Sequence, residues 1–166
     1  MSSSIPEPLT AAVLTVSDSS SRGERADVSG PALVELLTRH EYSVVATEIV
    51  PDDRTHVENA LLRLSEKARL VVSTGGTGLA ERDVTPEATR AICERMVDGI
   101  AERMRRDGSK KTPFAALSRG VCGTRGHSII VNVPGSPKGA VESLESVLDI
   151  LPHALQILGG NTKHEP

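Results

Sequence analysis

The chain predicts an α/β protein: a three-layer α/β/α domain whose mostly parallel sheet carries one antiparallel strand. Three observations predict it. Short apolar, β-branched runs alternate with segments whose apolar residues recur at helical spacing, the pattern of a sheet covered on both faces. Each strand-like run empties into a polar or glycine-rich loop, as in open α/β sheets. Late in the chain, Val121-Cys122-Gly123-Thr124, the turn Arg125-Gly126 and Ser128-Ile129-Ile130-Val131-Asn132-Val133 read as a hairpin, which turns one strand against the rest.

Taken in order, Ala11-Ala12-Val13-Leu14-Thr15-Val16 is a buried strand stopped by Ser17-Asp18-Ser19-Ser20-Ser21. Gly30-Pro31 opens a helix at a position where proline's missing N–H is harmless, and Leu33, Leu36 and Leu37 give it an apolar face. Residues 42–50 form a second strand ending at Pro51-Asp52-Asp53. Asp53 is placed to cap the next helix, whose face is Val57, Ala60, Leu61 and Leu64. Residues 69–73 are the third strand. Thr85-Pro86-Glu87 begins another helix with Thr85 as its expected N-cap, and Ile92, Met96 and Ile100 share one row if that helix continues through Gly99. A long C-terminal helix should carry Leu144, Val147, Leu148, Leu151, Leu155 and Leu158, kinked or broken by Pro152.

The expected organisation is a disordered lead-in over residues 1–9, a single domain over 10–160 and a flexible tail over 161–166. With 166 residues, 38% hydrophobic and 25% charged, the chain has room for one real core. A net charge of −3 gives no global attraction to nucleic acid or to an anionic membrane. Tyr42 and Phe114 are the whole aromatic complement, so base stacking on aromatic platforms is close to excluded as a binding mode. Cys93 and Cys122 form no ligand pattern and read as reduced thiols of a cytoplasmic protein. No run is apolar enough to span a membrane, and residues 1–8 lack the basic and apolar regions of a signal peptide.

Polar residues concentrate in the four loops expected at strand carboxyl ends: Ser17-Asp18 through Asp27-Val28-Ser29-Gly30, Pro51-Asp52-Asp53, residues 75–83, and Pro134-Gly135-Ser136-Pro137-Lys138. The third follows Ser73-Thr74-Gly75-Gly76-Thr77-Gly78 and ends in Arg82-Asp83-Val84-Thr85-Pro86. Its glycines let backbone N–H groups approach a phosphate, and Asp83 supplies a carboxylate of the kind a magnesium-dependent phosphoryl reaction needs. The dinucleotide fingerprint fails, because Glu81 stands where a third glycine belongs, and the Gly-Lys-Ser/Thr ending of a P-loop is missing.

Together, Thr15-Val16-Ser17-Asp18, Asp27-Val28-Ser29-Gly30-Pro31, Pro51-Asp52, residues 73–78 with Arg82-Asp83-Val84-Thr85-Pro86-Glu87, and residues 134–138 resemble the MoaB/Mog family of molybdenum-cofactor biosynthesis, in order from Ala11 to Gly160. The resemblance implies a homotrimer that binds molybdopterin, a pterin dithiolene with a terminal phosphate. In the adenylylating members that phosphate attacks Mg-ATP, giving adenylyl-molybdopterin and pyrophosphate. By position, Asp52 and Asp83 match the two functional carboxylates and are the expected Mg²⁺ ligands. Thr74, Gly75, Gly76, Thr77 and Gly78 match the holder of the pterin's phosphate. Ser17, Asp18, Ser29, Pro134, Gly135, Ser136 and Lys138 match segments lining the pterin and nucleotide region. Contact with other molybdenum-cofactor biosynthesis proteins is implied as well.

Chemically, such a site needs positioning and charge neutralisation rather than covalent help. Backbone N–H groups of Gly75, Gly76 and Gly78, with the Thr74 and Thr77 hydroxyls, are the expected phosphate donors; Lys138 and Arg82 are the candidate counter-charges for ATP. The residues leave structural alternatives open: Asp83 capping the following helix or pairing with Arg82, and Lys138 in solvent. His40, His56, His127 and His153 lack metal-ligand spacing, and Arg103, Arg105 and Arg106 read as a solvated helix face. Two functional alternatives also stay open: a molybdopterin-binding carrier or scaffold without catalysis, and a nucleotide hydrolase using the same loops.

Overall fold

The computed structural model describes residues 8–160. Residues 1–7 of the expected lead-in and the expected tail, 161–166, lie outside the described residues. Six strands form one sheet: β1 (Thr10–Val16), β2 (Ser43–Val50), β3 (Leu70–Thr74), β4 (Arg95–Met96), β5 (Cys122–Arg125) and β6 (Ser128–Val133), in the order β2-β1-β3-β6-β5-β4. β2, β1, β3 and β6 pair in parallel, while β5 pairs antiparallel with both β6 and β4, so β5 is the single reversed strand. The expected fold class and its one antiparallel strand are both present.

The period of two along each strand sorts side chains into two cores. The short α1 (Asp18–Ser21) lies in the loop that follows β1. Ala11, Val13, Leu70, Val72, Ile129 and Val131 face one side, against α2 (Ser29–Arg39), α5 (Asp98–Ser109), α6 (Pro137–Glu145) and α7 (Leu151–Leu158). Ala12, Leu14, Val71 and Ile130 face the other, against α3 (Arg54–Lys67) and α4 (Thr85–Ile92). α2 leaves β1 over the first face, whereas α4 leaves β3 over the second. The loops after β1 and β3 therefore diverge, and a crevice opens between neighbouring strand ends, the usual ligand position in such sheets.

Several local expectations are corrected. α4 ends at Ile92, so Met96 lies in β4 and Ile100 in α5 rather than on one helical row. Thr85 is the first helical residue, not the N-cap; its side chain is used elsewhere, as described below. The C-terminal helix is two helices, because residues 146–150 form turns and Pro152 sits in the first turn of α7, where a missing N–H is tolerated. Asp53 does cap α3, accepting the His56 N–H at 3.0 Å.

One polar cluster crosses the second core. Asn132 is 1% exposed; its Nδ2 donates to Ser73 Oγ (2.8 Å) and Thr89 Oγ1 (2.9 Å), and its Oδ1 accepts the Val121 N–H (3.1 Å). Thr89 Oγ1 in turn donates to the Thr85 carbonyl at 2.8 Å. β3, β6 and α4 are thus locked in register just below the strand ends. Asn132→Leu keeps the volume but strands the Val121 N–H without an acceptor, so it should lower stability by about 1–3 kcal/mol. Urea denaturation should show this as a lower midpoint at unchanged m.

Candidate active site

The loop after β3 is set by fixing its carbonyls. Gly75 and Gly76 adopt φ of 97° and 68°, and a Cβ on either would lie 2.3 Å from Val16 O or Thr85 Oγ1, so only glycine fits both positions. The Thr85 hydroxyl donates to Gly75 O at 2.9 Å, and the Thr85 N–H donates to Gly76 O at 3.1 Å. The Arg119 N–H donates to Thr77 O at 2.8 Å. In a planar trans peptide the next residue's N–H points opposite its carbonyl. Pinning the oxygens of Gly75, Gly76 and Thr77 therefore aims the N–H groups of Gly76, Thr77 and Gly78 away from them. None of those three N–H groups has an acceptor among the described residues. Such a run of unpaired amides is an arrangement that can receive an anion.

Two of the expected phosphate donors are already used. The Gly75 N–H donates to Val133 O at 3.2 Å, and the Thr74 hydroxyl donates its one proton to Pro134 O at 2.7 Å. Thr74 instead ties the glycine loop to the loop after β6. The Thr77 hydroxyl has no partner among the described residues.

The acids are arranged around this loop. Asp18 and Asp52 bond reciprocally: the Asp18 N–H donates to Asp52 Oδ2 (2.9 Å), and the Asp52 N–H donates to Asp18 Oδ1 (3.0 Å). Arg82 pairs with Asp18, not Asp83, through Nε (2.6 Å) and Nη2 (2.8 Å). That bidentate hydrogen bond pulls the Asp18 carboxyl down to about 2. Asp52 moves the other way. Burial pushes it up, and the nearby charges of Asp18 and Asp83 add to the shift. Asp83 Oδ2 accepts the Ala80 N–H at 3.0 Å, which orders the end of the loop rather than capping α4. Asp52 Oδ1 and Asp83 Oδ1 have no donors among the described residues.

A cleft of about 470 Å³ runs between these loops, walled by Ser17, Ser29, Asp52, Gly76, Asp83 and Ser136. Thr74, Gly75 and Gly135 also line it. A second cavity of about 470 Å³ lies beyond the glycine loop, lined by Thr77, Gly78, Phe114, Leu117 and Pro134. Gly76, Asp83, Gly135 and Ser136 border both. Asp18 reaches the site only through Asp52, and Lys138 is exposed on the first turn of α6, outside both linings.

Residues that were not among the expected site residues complete the site. Asp27 accepts the Thr15 hydroxyl (2.7 Å) and the Gly30 N–H (3.1 Å), fixing the start of α2 and the side of the cleft that holds Ser29. Arg25 lines the cleft and has no ion-pair partner among the described residues, unlike Arg82. Arg119 closes the back of the glycine loop, and only its place three residues before the hairpin strand could have drawn attention to it.

The raised Asp52 carries a stability consequence. The native state holds its proton to higher pH than the unfolded chain, so stability falls as pH rises through that interval. At neutral pH the ionised group is therefore a liability that Asp52→Asn removes, while the amide oxygen still accepts from Asp18. Without divalent cations, Asp52→Asn should melt higher than wild type at pH 7. The gap should close as pH falls below the ordinary aspartate value of about 3.9, which thermal melts across a pH series would check.

Comparison with known proteins identifies the family. Residues 12–153 match the family described as a probable molybdopterin binding domain. The chain is 41% identical over 153 residues to the molybdopterin adenylyltransferase of Helicobacter pylori, covering 90% of this chain and 87% of that one. It is 37% identical over 164 residues to the Escherichia coli molybdopterin adenylyltransferase, covering 89% and 84%. The crystal structure of the molybdopterin biosynthesis enzyme MoaB from Thermus thermophilus superimposes with a TM-score of 0.87 at 51% identity, covering 92% of this chain and 97% of that one. The chain belongs to the molybdopterin-binding domain family, among the MoaB/MogA-like proteins of molybdenum-cofactor biosynthesis.

Proposed function

We propose that this protein binds molybdopterin and adenylylates its terminal phosphate with Mg-ATP. The observation that carries the reading is the run of unpaired N–H groups at Gly76, Thr77 and Gly78, set where two adjoining cavities meet. Two cavities joined at one anion site suit a reaction between two anionic substrates. Both adenine and pterin are planar, and Phe114 and Leu117 give the second cavity an apolar wall for such a ring.

The acids fit Mg²⁺. Asp52 and Asp83 each keep one carboxylate oxygen uncommitted, and each faces the other's charge. No group of three or more His, Cys, Asp or Glu is placed to hold a metal ion among the described residues, and Mg²⁺ commonly takes only one or two carboxylates beside substrate phosphates and water. Bound there, the ion would offset the repulsion between nucleophile and triphosphate.

The chain's own groups do the positioning. The glycine-loop amides hold the pterin phosphate so that one of its oxygens attacks the α-phosphorus of ATP. That forms the new P–O bond as the bond to the β-phosphate bridge breaks, and pyrophosphate leaves. Arg25 supplies positive charge in the cleft for the triphosphate. Ser136 accepts the Gly139 N–H as a helix cap, which leaves its hydroxyl proton for a ligand oxygen, whereas Ser17 accepts the Ser20 N–H and shares a hydrogen bond with the Ser19 hydroxyl at 3.3 Å.

We also propose a homotrimer. Val45 and Ile49 on the edge strand β2 are 48% and 47% exposed, which supports a covered edge in the assembled protein. Sedimentation equilibrium should return three chain masses, and a monomer at all concentrations would overturn this. The two free thiols and the ATP requirement support a cytoplasmic location.

Purified protein given molybdopterin, ATP and Mg²⁺ should form adenylyl-molybdopterin and pyrophosphate. Asp83→Asn should keep pterin affinity and lose turnover by about 100-fold or more. Tight pterin binding by wild type with no adenylylated product would instead establish a carrier. Release of AMP or phosphate from ATP without pterin would establish a hydrolase.

A further inference from the structure

We infer that Arg119 is a positioning residue for the phosphate site: its backbone N–H turns the Gly78 amide outward, and its guanidinium anchors Arg119 behind the glycine loop so that this bond keeps its direction, without touching the substrate. Four donors of this one residue are committed to the loop and the helix that follows it. The backbone N–H bonds Thr77 O (2.8 Å), Nε bonds Gly78 O (2.7 Å), Nη2 bonds Asp83 O (2.8 Å), and Nη1 bonds Glu87 Oε1. Arg119 thereby spans the loop from Thr77 to the first turn of α4 and encloses Asp83 between two of its bonds.

Planarity transmits each bond to the amide on the other side of the peptide. Fixing Thr77 O fixes the Gly78 N–H, and fixing Gly78 O fixes the Leu79 N–H. The base of the clamp is itself braced. Arg105 Nη1 donates to Gly120 O (2.7 Å) and Ser118 O (3.3 Å), the carbonyls on either side of Arg119. Arg105 is therefore part of this scaffold and not a solvated helix face. Glycine at 75, 76 and 78 leaves the loop's own torsions soft, so its shape has to be imposed from outside. Thr85 imposes it on the first two peptides and Arg119 on the next two.

A lysine keeps the positive charge of Arg119 but replaces a planar fork by a point charge that cannot make the three directed bonds together. The inference thus separates bond geometry from charge. It rests on the loop's being the phosphate holder, and the test distinguishes the two claims. Amide resonances of Gly76, Thr77 and Gly78 are followed by NMR while inorganic phosphate is added to wild type, Arg119→Lys and Glu87→Ala. Wild type should shift at these amides. Arg119→Lys should bind phosphate about tenfold more weakly or worse, and Glu87→Ala about threefold more weakly, with amides of the sheet unmoved. In turnover, both variants should raise KM for molybdopterin and leave KM for ATP within about twofold. Should Arg119→Lys fail to fold, Glu87→Ala alone decides the matter. Unchanged phosphate affinity in the folded variants overturns the role of Arg119. Absence of loop shifts in wild type overturns the phosphate reading itself.

Discussion

Everything at this site depends on where four carbonyl oxygens point. The glycines at 75, 76 and 78 could place their peptides in many directions, and the structure uses Thr85 and Arg119 to select one. With the oxygens turned into the protein, three amides have nowhere to bond but outward. An anionic ligand entering the cleft meets donors already aimed at it, so little further ordering of the loop opposes binding.

The fold supplies the setting for that loop. Opposite crossovers after β1 and β3 open the crevice, and the Asn132 cluster fixes the strand ends on which the loop stands. Thr89 links that cluster to Thr85, and Thr85 bonds the loop directly. A continuous chain of hydrogen bonds thus runs from the core of the sheet to the anion site. The acids share this logic: Asp18 and Asp52 hold each other's backbone across two loops, so the Arg82 pair steadies the mouth of the cleft as well as Asp18.

Much of this was legible in the residues. Strand–helix alternation gave the fold class and the reversed strand, because periods of 2 and 3.6 survive in any context. Asp53 as a cap, Pro152 as a break, and the convergence of four loops also followed from local chemistry. What failed was local inference overridden by distant contacts. Thr85 looks like an N-cap, yet its hydroxyl is drawn to Gly75; Thr74 looks like a phosphate donor, yet it bonds Pro134 O 60 residues away. Ile92, Met96 and Ile100 keep helical spacing, but the chain between them crosses to pair with β5. Arg119 was invisible for the same reason, since its partners are mainly carbonyls that no spacing rule encodes, and Asp27, though inside a recognised motif, gave no sign that it would hold Thr15 and the start of α2.

The central claim is that the amides of Gly76, Thr77 and Gly78 receive the pterin's phosphate. A crystal structure with molybdopterin bound tests it most directly. Phosphate oxygens should lie within about 2.7–3.2 Å of those three nitrogens, with the loop carbonyls still held by Thr85 and Arg119. A phosphate seated instead against Arg25 and Ser29, with the three amides facing only water, would contradict it.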